Sequence, residues 1–126
     1  MGFVILFPMF SEALLDHFRN PRNAGELPGA TVAVEVSNPV CGDILKLSAR
    51  LEKDRITEAR FLCRGCTTSI ACASLLTEKI AGHTLAEARN LTPETLSETL
   101  GGLPPATFHG ALLAIDALQV LLARTL

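Results

Sequence analysis

Cys41, Asp43, Cys66 and His109 are the residues of this chain whose types and settings suit metal chemistry. A thiolate and a carboxylate stand two residues apart in Asn38-Pro39-Val40-Cys41-Gly42-Asp43. A second thiolate follows a glycine at Gly65-Cys66, and an imidazole comes from much further along. Soft sulfur, borderline nitrogen and hard oxygen together form a mixed donor set that can make one metal-type site. Asn-Pro and Cys-Gly-Asp are turn formers between two runs of alternating hydrophobicity, so Cys41 and Asp43 are expected at the exposed tip of a connection between strands. An exposed tip suits a site whose contents must exchange.

Cys66 falls where a strand-like period gives way to a helical one, and the positive end of a helix favours a thiolate there. His109 lies in the first turn of the last helix, where the neutral imidazole that a metal needs is favoured. Cys63-Arg64-Gly65-Cys66 is a C-x-x-C, which suits either a dithiol redox pair or two ligands of one metal. A thioredoxin-like domain would place that pair before a long alternation of strands and helices, whereas here the strands come first. Cys72 sits roughly 120° around the helix from Cys66 and reads as core packing. His17 and His83 have no supporting context and read as structural or surface residues.

The 126 residues that must position these groups fit one domain, with 48% hydrophobic content and a formal net charge of -2. That charge offers no electrostatic case for nucleic acid or an anionic membrane. Four cysteines in a chain with no convincing secretory signal point to thiol or metal chemistry in a reducing, cytoplasmic compartment. Residues 1–10 are apolar but far short of the ~20 residues of a membrane span. They are expected to pack, to serve as a partner-binding tail, or to reflect a misassigned start site, in that order, ahead of a domain over 11–126.

Ser11 can cap a first helix with Leu14, Leu15 and Phe18 on its apolar face, ended by Asn20-Pro21. After a loop through Gly29, Val32, Val34 and Val36 alternate as in a strand. Leu45, Leu47, Ala49 and Leu51 alternate against polar neighbours in a second strand. Lys53-Asp54 turns into a third over about 55–62, with Ala59 and Phe61 buried. From Cys66 the helical period runs through Ile70, Ala73 and Ile80 to a stop at Gly82. Thr84 with Glu87 and Thr92-Pro93 open two short helices, and a last helix spans about 107–124 with Ala111 or Leu112, Ile115, Leu118 or Gln119, and Leu122 on one face. The expected fold is α+β, a three-stranded antiparallel sheet with helices packed on it.

The chain resembles the IscU/NifU family of iron-sulfur cluster assembly scaffolds. The resemblance rests on Asp16-His17-Phe18-Arg19-Asn20-Pro21-Arg22-Asn23-Ala24-Gly25, on Asn38 to Asp43, on Gly65-Cys66 followed by Ser69-Ile70-Ala71 and Ser74 to Glu78, and on Leu103-Pro104-Pro105 with His109. It implies Cys41, Asp43, Cys66 and His109 as site positions. The implied role is a carrier rather than an enzyme, one that takes sulfide from a cysteine desulfurase and iron from a donor, holds a transient [2Fe-2S] cluster and passes it to apo-proteins. Zinc often occupies the same ligands in that family.

Gly110 stands where the family has a third cysteine, so the usual three-thiolate set is incomplete. Cys63 can serve as a substitute, the remaining ligands can suffice, or the chain can be a zinc-binding relative that docks on the desulfurase without building a cluster. Thr107 stands where the family has a lysine, which weakens the expectation of contact with a heat-shock chaperone. The apolar N-terminal run offers a surface for a homodimer or for the desulfurase.

Overall fold

The computed structural model describes residues 10–39 and 42–125. The alternating stretches become β1 (Val32–Asn38), β2 (Asp43–Glu52) and β3 (Arg55–Arg64), paired antiparallel in the order β1-β2-β3. Val34 lies opposite Leu47, Leu47 opposite Phe61, and Ala49 opposite Ala59, so one face of the sheet is continuously apolar. A slip of one residue would move that set onto the wet face, which is why the register is specified. Lys53 turns the β2–β3 hairpin with a φ of 59°. The third strand runs two residues beyond its expected end because Ile44 and Leu45 go on pairing, with Arg64 and Cys63. Cys63 therefore belongs to the strand and not to the junction.

Helices cover the apolar face. They are α1 (Glu12–Arg19), α2 (Thr67–Ile80), the single-turn α3 (Leu85–Ala88), α4 (Pro93–Thr99) and α5 (His109–Ala123). Ser11 caps α1 by accepting from the Leu14 N–H, Thr84 and Glu87 form a full capping box, and Thr92 caps α4 ahead of Pro93. α2 is central, packed against α1, α5 and β3. Its Ser69, Ala71, Cys72, Ala73 and Ser74 are all buried, so the expected single apolar stripe is replaced by burial nearly all round. Small side chains there let three neighbours approach at once.

The α1 face differs from expectation, and on α5 the choice between Ala111 and Leu112 is decided. In α1 the inward residues are Leu14 and His17, while Phe18 is 37% exposed. His17 is held in by Ser74, whose hydroxyl lies 2.8 Å from its Nδ1. In α5, Ala111, Ile115, Leu118 and Leu122 face the core as expected, but Leu112 is 51% exposed. Cys72 is fully buried, and burial pushes its thiol up to about 12, as packing implies. Apart from Phe10, which packs against the core, the apolar stretch 1–10 lies outside the described residues. Among the described residues no helix is long and apolar enough to cross a membrane.

Candidate metal centre

The sheet ends and two helix starts meet at one rim. Asp43 opens β2, and its side chain shares the inner face with Leu45 two residues on. It is only 5% exposed, so this carboxylate does not sit on the outer tip of the turn, where the sequence placed it. Two features keep it inside. Ser69 Oγ donates to Asp43 Oδ2 at 2.5 Å, and Gly65 leaves room for the carboxylate.

Cys66 is the N-cap of α2 and is exposed, and it makes no side-chain cap bond. Its sulfur therefore stays available beside the exposed N–H groups of the first turn. His109 is the first residue of α5. The turn through Pro104 and Pro105 delivers it there, with the Thr107 N–H donating to the Pro104 carbonyl at 3.0 Å. Beyond His109 lies an open groove of about 390 Å³ bordered by Pro39, Pro93 and Leu112.

The three donors converge. Cys66 Sγ lies 3.5 Å from His109 Nε2 and 3.7 Å from Asp43 Oδ2, and those two are 3.8 Å apart. A tetrahedral ion with bonds of about 2.3 Å to sulfur and 2.0–2.2 Å to nitrogen and oxygen holds such atoms roughly 3.4–3.6 Å apart. The observed separations are within a few tenths of an ångström of that, so one ion spans them with little movement. A metal takes the thiolate of Cys66 and an unprotonated nitrogen of His109, so binding at this rim is coupled to proton release.

Cys41 lies outside the described residues, so its position relative to the rim is not part of this geometry. Cys63 pairs with Leu45, which places it on the inner face near Asp43, partly buried. Burial, helped by the charges of Asp43 and Cys66, pushes its thiol up to about 12. It is not one of the converging donors, and to become a ligand it must lose that proton and turn toward the rim. His83 is on the surface, 3.6 Å from Glu87, and away from the site. At position 110 a Cβ would meet Thr68 Cγ2 at 3.0 Å and the backbone of Thr68 and Ser69 at 3.1 Å. Glycine lets α5 approach the start of α2 that closely.

Sequence reading missed two contributors. Ser69 is the third helical residue after Cys66, a position whose side chain points back toward the cap, and that spacing was the available signal. Gly65 was read only as part of the motif. Its value as empty space for Asp43 depends on a strand pairing that no local pattern displays.

The family model described as the NifU-like N-terminal domain matches residues 9–124. The iron-sulfur cluster assembly scaffold protein IscU 1 of Archaeoglobus fulgidus is 40% identical over 88% of this chain and 72% of its own length. The protein of the same description from Aquifex aeolicus, named IscU, is 41% identical over 88% of this chain and 72% of its own. Among solved structures, a putative scaffold protein for the SUF system from Fervidobacterium islandicum superposes with a TM-score of 0.79 at 23% identity, covering 91% of this chain and 97% of that one. That structure shares the fold.

Proposed function

From the premise that this chain belongs to the family of NifU-like N-terminal domains, we propose that it is an iron-sulfur cluster assembly scaffold. Its Cys41, Asp43, Cys66 and His109 hold iron and sulfide transiently as a [2Fe-2S] cluster for transfer to apo-proteins. The observation that carries the proposal is the convergence of Asp43, Cys66 and His109 on one rim from three separate segments, with a spacing that fits metal ligation. The relatives named as scaffolds, which match most of this chain, support the same reading.

The cargo is bound by residues suited to release it. Cys66 is a soft donor at an exposed helix start, and Asp43 is a hard carboxylate that holds a soft centre weakly. A cysteine desulfurase supplies the sulfur, and the exposed Cys66 sulfur and the adjoining groove give it access. The protein acts as a carrier and not as a catalyst. Its free thiols at Cys63, Cys66 and Cys72 suit a reducing, cytoplasmic setting.

Gly110 favours a second reading, in which the chain keeps zinc on these ligands and acts as a desulfurase-binding or regulatory relative. Anaerobic reconstitution with iron and sulfide, followed by visible absorption and metal analysis, separates the two. A chromophore with bound iron and sulfide is expected of the scaffold. Tight zinc with no chromophore would replace it with the second reading. Cys63→Ser in the same assay shows whether Cys63 takes the place of the absent thiolate.

A further inference from the structure

Ser69 is 1% exposed and touches two of the three converging donors. Its Oγ is 2.5 Å from Asp43 Oδ2 and 3.3 Å from Cys66 Sγ. A hydroxyl has one proton to give, and an ionised carboxylate can only accept. At 2.5 Å, in charge-assisted geometry, that proton is committed to Asp43. With that proton engaged, the sulfur contact is one in which Ser69 can only accept.

The oxygen that Ser69 holds is the same one that faces the site. Oδ2 of Asp43 is the atom found 3.7 Å from the Cys66 sulfur and 3.8 Å from the His109 nitrogen. Ser69 and Cys66 ride on the same first turn of α2, so the hydroxyl ties the β2 carboxylate to the helix that carries the thiolate. Gly65 prevents a clash on the opposite side of the same carboxylate. We propose that Ser69 is a positioning residue for metal capture, its hydroxyl fixing Oδ2 of Asp43 at the separation from Cys66 and His109 that one ion spans. The role rests on the reading of this rim as a metal site.

Partners of this kind typically contribute tenfold or more to metal affinity. Zinc affinity, measured by competition with a chromophoric chelator, is the test, and melting of the metal-free proteins verifies folding. Ser69→Ala is expected to weaken zinc binding about tenfold in the natural chain and less than about twofold in an Asp43→Ala background, because the hydroxyl acts through that carboxylate. Ser69→Thr keeps the hydroxyl and is expected to stay within about threefold of the natural chain.

An unchanged affinity in Ser69→Ala overturns the proposal. So does an equal loss in both backgrounds, or a threonine variant as weak as the alanine one. If the natural chain binds no zinc or iron, the reading of the site fails and the role of Ser69 falls with it. If the natural chain binds and Ser69→Ala is indifferent, only the inference about Ser69 is lost.

Discussion

The carboxylate of Asp43 lies where a side chain on Gly65 would begin. A Cβ there would come 2.7 Å from Asp43 Cγ and 2.9 Å from its Oδ1. The carboxylate cannot swing aside cheaply, because Ser69 holds its other oxygen. Gly65→Ala is therefore expected to displace Asp43, weakening zinc binding about tenfold or more while the fold survives. Chelator competition and circular dichroism on the same sample check both halves. Undiminished affinity would show that the carboxylate is not needed in place.

Removal of the donors themselves should be graded by softness. Cys66→Ser is expected to lose more zinc affinity than Asp43→Ala, since a thiolate holds zinc more strongly than a carboxylate at an open rim. The carboxylate variant should instead alter release. If Asp43 is the exchangeable ligand, Asp43→Ala slows cluster transfer to an apo-ferredoxin. Transfer that is no slower would remove that role.

Gly110 offers a test of packing. Adding a Cβ there presses on Thr68 Cγ2 and on the backbone at the start of α2. Overpacking of this kind costs roughly 1–3 kcal/mol, against a gain of up to about 1 kcal/mol in helix propensity for alanine. Gly110→Ala is expected to lower the melting temperature. Because the displaced backbone carries Cys66 and Ser69, it should weaken zinc binding as well. A melting temperature at or above that of the natural chain would mean α2 yields freely.

Stability should fall on mild acidification through His17. Burial holds its pKa below the ordinary value, with Arg22 pushing the same way against Glu78 and Asp16. The unfolded chain takes up its proton near pH 6.5 and the folded one only at lower pH. Protonation below that point therefore favours unfolding, and stability declines as pH falls toward the lowered folded value. Asp16 and Glu87 are also lowered, but they act below the ordinary carboxylate range. Melting curves between pH 7 and 5 should drop more steeply for the natural chain than for His17→Asn. Parallel slopes would rule His17 out as the cause.

Thiol reactivity should follow depth. Cys66 is exposed, whereas burial pushes the thiols of Cys63 and Cys72 up to about 12. Among the described cysteines, iodoacetamide at pH 8 followed by peptide mass mapping is expected to find Cys66 modified first, Cys63 slowly, and Cys72 only after unfolding. Zinc should protect Cys66. Equal rates for Cys66 and Cys72 would contradict the burial of α2.

Local pattern was enough for much of this molecule. Alternation at Leu45, Leu47 and Ala49, the helical period after Cys66, and caps at Ser11, Thr84 and Thr92 each depend on residues within a few positions of one another, and backbone periodicity turns such spacing directly into strand, helix and boundary. The donor types at Asp43, Cys66 and His109 were legible for the same reason. What required the folded chain was every relation between segments: that Asp43 is buried and not at an exposed tip, that Phe18 turns outward while His17 turns in, that Cys63 stays on the inner face of β3, and that the Ser69 hydroxyl and the space over Gly65 close around one carboxylate. Those depend on strand register and on how α2 and α5 pack. Distances of a few ångströms between residues more than twenty positions apart are set by the whole core at once and leave no mark on either residue's neighbours in sequence.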